Sequence, residues 1–346
     1  MTINDVLSFV RPHLLKLQPY SSARDEFDQS AIGMQQFVYL DANENPYDTG
    51  NNRYPDPYQR ELKDNISAIK GIPPNQIFVG NGSDEAIDLI IRLFCRENDN
   101  ILIPVPTYGM YKVSAEINNV KLRTALLDEN FQLTKSFMSN ADENTRVIFL
   151  CSPNNPSGNV IDVQSVLDKF HGIVVVDEAY IDFTTNPGFI NKTGRYPNLI
   201  VLQTFSKAWG LAGLRLGMAF AHPEIIALLN KIKPPYNISS VAQRLGLQAL
   251  AKQEQTKEWV ASIVSERSRV AAELSKLTSV KMVFPSDANF LLVRIANAAQ
   301  VYEQLINSKI VVRDRSRVVR CEDCLRISIG TRQENDQLLE ALRTSQ

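Results

Sequence analysis

Long apolar runs are missing from this chain. None approaches the ~20 residues that a membrane-spanning helix needs, so no membrane partner is expected. An excess of either charge is missing too. The 37 Lys and Arg residues against 38 Asp and Glu leave a net charge of −1, and nothing global points to nucleic acid or an anionic lipid surface. Cysteine is scarce: Cys95, Cys151, Cys321 and Cys324 suit a reducing compartment better than a disulfide framework. Histidine is scarcer, with His13, His171 and His222 far in sequence from the Cys321-Glu-Asp-Cys324 pair. A zinc site needs a second pair of ligands, so no metal is expected. The start, Met1-Thr-Ile-Asn-Asp5, carries an early acid and no continuous apolar stretch, which argues against a signal peptide and for a cytoplasmic location. Internal repeats and low-complexity segments are absent as well.

What is present is an ordinary globular composition, 44% apolar and 22% charged over 346 residues, long enough for a large core and two domains. Residues 1–40 read as an N-terminal arm with a turn at Leu17-Gln-Pro-Tyr20, and Tyr39–Pro46 as a short strand. Gln59–Lys70 has helical spacing and Ile77–Val79 reads as a strand. Gly80-Asn-Gly-Ser-Asp-Glu85 then leads into the helical pattern of Ala86 to Phe94, with Ser83 or Asp84 as its N-cap. Strands at 100–104, 146–151, 172–177, 198–203 and 214–220 alternate with helices at 108–118 and 161–170. Continuous Val/Ile runs between helices imply a mostly parallel sheet covered on both faces. Lys233-Pro-Pro-Tyr-Asn237 reads as a hinge, Ser239–Leu277 as a long helical stretch, and the remainder as a smaller α+β unit with strands near Met282, at 290–295 and at 325–329. The expected division is therefore residues 1–40, 41–238 and 239–346.

In open parallel sheets, ligands bind at the carboxyl ends of the strands. Asn155, Asp177 and Lys207 each fall at or just past such an end. The stretch Thr204-Phe-Ser-Lys207, with Arg215 eight positions further on in a glycine-punctuated loop, has a particular chemistry. A lysine amine ordinarily titrates near 10.4 and becomes a Schiff-base nucleophile only where its surroundings lower that value. Two hydroxyls and a guanidinium fork suit a phosphate. A glycine turn from strand to helix, as at Gly80–Ser83, offers free backbone N–H groups to an anion, although for this motif taken alone a capped helix and nothing more is the stronger reading. A surface lysine and arginine, a strand-closing acid at Asp177 and a core tyrosine at Tyr108 are the structural alternatives.

The motifs Ser152-Pro-Asn-Asn-Pro-Ser-Gly158, Val176-Asp-Glu-Ala-Tyr180 and Thr204–Arg215 resemble those of fold-type I, pyridoxal-phosphate-dependent aminotransferases. Leu40-Asp-Ala-Asn-Glu-Asn-Pro46, Arg53-Tyr-Pro-Asp-Pro57, Gly82–Glu85 and Leu325-Arg-Ile-Ser-Ile-Gly330 are similar to the histidinol-phosphate aminotransferase branch. The resemblance implies a large domain with a mostly parallel seven-stranded sheet, a smaller α+β C-terminal domain, and pyridoxal 5′-phosphate as cofactor. It implies Lys207 as covalent anchor and proton carrier, Asp177 at the pyridine nitrogen, and Asn155 and Tyr180 at the ring's phenolic oxygen. Tyr108 would stack on the ring, and Ser83, Asp84, Thr204, Ser206 and Arg215 would hold the phosphate. Tyr54 would enter the neighbouring subunit's site, which makes a homodimer. Arg326 would take a substrate carboxylate, Tyr20, Tyr54 and Arg313 the substrate phosphate, with Asn43 and Asn155 also touching substrate. The implied substrates are histidinol phosphate and 2-oxoglutarate or glutamate. Threonine-phosphate decarboxylases and broader aromatic aminotransferases share the cofactor residues. Cofactor-sensing regulators share the fold but need a DNA-binding domain, for which the residues before Tyr54 leave little room.

Overall fold

The computed structural model describes residues 1–19 and 38–343. The larger sheet has seven strands: β1 (Ile77–Asn81), β2 (Asn100–Val105), β3 (Lys121–Leu126), β4 (Thr145–Cys151), β5 (Ile173–Asp177), β6 (Leu199–Thr204) and β7 (Leu216–Phe220). They lie in the order β1-β7-β6-β5-β4-β2-β3, with β7 antiparallel to both its neighbours and the run β6 to β3 parallel. Side chains alternate across a strand, and here both faces are buried. Val174, Val176, Leu199 and Val201 join the core on one side, while Ile173, Val175, Ile200 and Leu202 join that on the other. At roughly 25 cal/mol per Å² of apolar surface removed from water, this two-sided burial is the main stabilising term.

Eleven α-helices are described: α1 (Ile3–Ser8), α2 (Pro12–Lys16), α3 (Arg60–Lys70), α4 (Ser83–Phe94), α5 (Met110–Ile117), α6 (Gln164–Leu167), α7 (Pro223–Ile232), α8 (Ser240–Leu250), α9 (Gln253–Leu274), α10 (Ala298–Asn307) and α11 (Arg332–Arg343). The first two belong to the arm, and Val6 and Val10 bury themselves in the same core as α4. The second sheet is antiparallel, in the order β10-β11-β9-β8, from β8 (Val280–Val283), β9 (Phe290–Ile295), β10 (Arg313–Asp314) and β11 (Cys324–Ser328). It packs with α9, α10 and α11 around its own core. Cys321 and Cys324 carry free, buried thiols. They sit with Leu127, Phe131, Phe284 and Leu292 in a small apolar cluster that joins the two units.

Several local expectations need correcting. Tyr39–Pro46 forms no strand. Asn43 has a left-handed φ of 53°, and Glu44 instead pins the segment to the next loop through Arg53 Nη1 (2.8 Å) and the Tyr54 N–H (2.6 Å). The helix over 161–170 shrinks to Gln164–Leu167, because the Ile161 N–H is drawn to Ser152 Oγ (3.2 Å). The cap of α4 is Gly82, not Ser83 or Asp84. A Cβ at Gly217 on β7 would lie 2.2 Å from the Ser83 nitrogen, so that strand presses directly on the helix start. The stretch 239–277 is two helices, broken at Ala251 and Lys252.

Candidate active site

The register of the parallel strands sets the site. Cys151 pairs with Asp177 and Asp177 with Leu202, so β4 and β5 end level with one another and β6 runs two residues further, to Thr204. The chain leaves β4 into the loop 152–158, which Asn154 ties down by donating to Pro106 O (3.0 Å) and Ser157 Oγ (2.8 Å). That loop presents Asn155. From β5 it presents Asp177 and, after a turn, Tyr180; from β6 it presents Ser206 and Lys207. A cleft of about 390 Å³ opens over these strand ends. Ser83, Asp84, Tyr108, Asn155, Asp177, Tyr180, Thr204, Ser206, Lys207, Arg215, Arg313 and Arg326 all line it. Tyr54 and Asn43 do not: Tyr54 stacks on Tyr236 with ring centroids 4.4 Å apart, and Asn43 is exposed. Tyr20 falls outside the described residues. Wider hollows of about 1130 and 820 Å³ lie elsewhere, but neither is lined by the strand-end lysine or aspartate.

Asp177 is buried at the bottom of the cleft. Its Oδ2 accepts from the Tyr111 hydroxyl at 2.7 Å and its Oδ1 from the Ala179 N–H at 3.1 Å. Burial pushes its carboxyl up to about 6, against the pull of those two hydrogen bonds. A carboxylate has about four acceptor positions, so capacity remains for a further donor or cation. Lys207 opens onto the cleft with Nζ 5.7 Å from the centre of the Tyr180 ring. Burial lowers its pKa, and Arg326 and Arg215 act in the same direction against Asp177 and Asp84. A partly desolvated amine beside two guanidinium groups is the nucleophile that Schiff-base chemistry requires. The Tyr180 phenol is held neutral by burial and accepts from Asn155 Nδ2 at 3.4 Å.

At the other end, the start of α4 faces Arg215. Arg215 has a left-handed φ of 54°, and its carbonyl accepts from the Gly82 N–H at 2.7 Å. A Cβ on Gly82 would lie 2.6 Å from the Arg215 guanidinium, so glycine is what lets the fork lie over the helix N-terminus. Asp84 accepts from the Tyr108 hydroxyl (3.1 Å) and pairs with Arg215 (3.2 Å); toward a phosphate it has only its backbone N–H to offer. Thr204 donates its hydroxyl to Leu216 O at 3.2 Å and accepts from the Ser206 N–H at 3.1 Å. Its single hydroxyl hydrogen therefore braces the loop, and Ser206 is the freer donor.

The facing wall comes from the smaller sheet. Arg326 reaches from β11 to donate to Asn155 Oδ1 at 2.6 Å and lies over the Phe290 ring. Arg313 is its cross-strand partner. Two contributors were missed from sequence. Tyr111, buried on α5, was detectable only as a residue three positions from Tyr108 on a helix face. Arg315 also lines the cleft, and its signal was its spacing of two from Arg313.

The sequence profile of the aminotransferase class I and II family matches residues 36–342. The chain belongs to the class I and II aminotransferases. This aminotransferase is 52% identical over 346 residues to the histidinol-phosphate aminotransferase of Parabacteroides distasonis, covering 99% of each chain. Its fold is similar to the crystal structure of the histidinol-phosphate aminotransferase from Clostridium acetobutylicum, with TM-score 0.78 and 28% identity over 85% of this chain and 90% of that one. It is also similar to the enzyme from Sinorhizobium meliloti in complex with pyridoxal-5′-phosphate, with TM-score 0.76 and 25% identity over 84% and 82%. The aminotransferase thus has the fold-type I architecture expected from its motifs.

Proposed function

We propose that this aminotransferase moves an amino group between histidinol phosphate and 2-oxoglutarate, with pyridoxal 5′-phosphate bound in the cleft. The observation that carries the reading is the meeting of Lys207 and the buried Asp177 with a wall of guanidinium groups in one cleft. The cofactor fits the residues present. Asp177 has acceptor capacity left at the ring end. At the phosphate end the glycine-bounded start of α4, Ser206 and Arg215 form a cradle that a Cβ at Gly82 would fill. When bound, the cofactor supplies an electron sink for the pair left on carbon as a proton departs.

The chain's own residues do the rest. Lys207 would hold the cofactor covalently, and its free amine would take the proton from the substrate α carbon and deliver it to the cofactor carbon bonded to the substrate nitrogen. Its lowered pKa favours the free, proton-accepting amine. Asp177, ionised, would keep the ring nitrogen protonated. Asn155 and Tyr180 would hold the ring's phenolic oxygen, and Tyr108 would lie on the ring face. Arg326 would bind the carboxylate of glutamate and share in binding phosphate, since a planar fork takes either anion. Arg313, with Tyr20, would act on the substrate phosphate.

The reading includes a cytoplasmic homodimer in which Tyr54 serves the partner's cleft. Support for the second copy comes from Val38, Leu40, Tyr47 and Tyr54, a run of strongly exposed apolar side chains beside the Arg53–Pro57 loop. We place the boundary between the large and small domains at residues 238–239, after the proline hinge. An amino-transfer assay with a panel of donors and 2-oxoglutarate tests the substrate. Histidinol phosphate is expected to be the preferred donor, and equal turnover of histidinol lacking the phosphate would overturn the assignment.

A further inference from the structure

Arg315 follows β10, and its N–H donates to Cys324 O at 2.9 Å, extending the ladder that pairs Arg313 with Arg326. Residues two apart on a strand share a face, so the smaller sheet turns Arg313, Arg315 and Arg326 toward one cleft, which all three line. Among the described residues none of the three guanidinium groups forms an ion pair. Arg315 Nε is buried without a hydrogen-bond partner, as is the neighbouring Ser316 Oγ. Burial lowers the Arg315 pKa, and Arg326 and Arg313 lower it further. Like charges facing one another across a sheet are destabilising, and an unpaired buried donor adds to that. The cluster is therefore an anion site whose balance is restored by a ligand.

The number of guanidinium groups indicates which ligand. A carboxylate has two oxygens, and one bidentate fork satisfies them. A phosphate monoester carries about −1.5 to −2 charges on three oxygens at neutral pH, and it can engage a second and a third fork. Arg326 already spans to Asn155 at the bottom of the cleft, where a carboxylate near the reacting carbon would lie. Arg315 is surplus to that carboxylate. We propose that Arg315 is a specificity-determining ligand of the substrate phosphate, joining Arg313 on that dianion and leaving the carboxylate to Arg326. This rests on the reading of the substrate as a phosphorylated amine.

The test uses the cofactor-loaded enzyme, with each half-reaction measured separately in wild type, Arg315→Gln and Arg315→Lys. In Arg315→Gln, kcat/KM for histidinol phosphate should fall roughly 10- to 100-fold, the worth of a charge-assisted hydrogen bond, and the loss should lie in KM. The value for glutamate should stay within about 5-fold, the size of a screened charge effect. Arg315→Lys should recover part of the loss, since it restores the charge without the fork. Inhibition by inorganic phosphate should weaken in Arg315→Gln while inhibition by a dicarboxylate holds. Equal losses for both substrates, or a loss for neither, would overturn the proposal. If wild type fails to use histidinol phosphate at all, the substrate reading fails instead. The phosphate inhibition then still decides on Arg315, and an unchanged constant in Arg315→Gln would sink it.

Discussion

On the wall built by the larger sheet, Asp177 accepts from Tyr111 and Ala179, Thr204 braces Ser206, and Arg215 pairs with Asp84. On the facing wall Arg313, Arg315 and Arg326 crowd together, and only Arg326 has a side-chain hydrogen bond among the described residues, to Asn155. The first wall is hydrogen-bonded within itself; the second carries concentrated, poorly compensated positive charge. A preorganised wall holds its geometry without reorganising at the moment of reaction. A wall of like charges leaves binding free energy available only to the right anion. The two are bridged at one point, Arg326 to Asn155, so an anion drawn to the second wall is placed against the first.

Removing Lys207 should test the first wall most severely. Lys207→Ala should lower amino transfer roughly 10⁴-fold or more, since proton transfer and covalent attachment are lost together. Thermal stability of the ligand-free protein should hold or rise, because a desolvated amine beside Arg326 and Arg215 is relieved. Borohydride fixation of the cofactor followed by peptide mapping checks the site of attachment in wild type. Label on any other lysine would remove Lys207 from its role.

Asp177→Asn comes next. The amide preserves the shape and much of the hydrogen bonding but withdraws the negative charge from the ring nitrogen. A loss of about 3 kcal/mol in transition-state stabilisation is expected, comparable with removal of a preorganised electrostatic partner. Cofactor retention, followed by its visible absorbance, should change much less than turnover. Near-normal turnover would show that the charge is not needed. Tyr111→Phe should act in the same direction but more weakly, by about 1 kcal/mol, the net value of one hydrogen bond. Tyr111 lowers the Asp177 pKa, which already stands at about 6. Without the hydroxyl that value rises, and the acid limb of the pH–rate profile should move to higher pH. A shift to lower pH would contradict the geometry.

The two walls also differ in how far they were legible in sequence. The continuous apolar runs of β4, β5 and β6 were readable because both faces of those strands are buried, and the residues at their ends followed directly. The edge strand β3 was not, because Lys121 and Arg123 are solvated and only Ala125 is buried. Tyr111 meets Asp177 across 66 residues, a contact no local pattern encodes. In sequence Arg315 is one of four closely spaced cations, Arg313, Arg315, Arg317 and Arg320, a pattern that a solvated loop also produces. Its place in the cleft depends on β10 pairing with β11, and a two-residue strand leaves almost no periodic trace. The Ser83 cap failed for a related reason: Gly217, remote in sequence, presses on the helix start.

The smallest effect expected separates hydrogen bonding from charge within the first wall. Glu178 follows Asp177 but turns away from the cleft, where Oε1 accepts from the Phe189 N–H at 2.5 Å and Oε2 from Gln203 Nε2 at 2.9 Å. Burial pushes its carboxyl up to about 7, against those two bonds. A carboxyl raised on folding binds protons more tightly in the native state than in the unfolded chain. Its favourable contribution is therefore complete below the unfolded value near 4.5 and is lost as pH rises through about 7. Gln203 Oε1 is buried without a partner. In Glu178→Gln the Gln203 amide can turn over, so that this oxygen accepts from the new amide while Phe189 keeps its acceptor. The variant should consequently melt at a similar temperature at pH 5 and be more stable than wild type at pH 8, by on the order of 1 kcal/mol. Turnover should be nearly unchanged, because Asp177 keeps both its own donors. Melting curves of the ligand-free protein from pH 5 to pH 8 decide it: parallel slopes for the two proteins would mean that Glu178 stays ionised throughout. A steep loss of stability in the variant would mean that the negative charge itself, and not the pair of hydrogen bonds, anchors this end of β5.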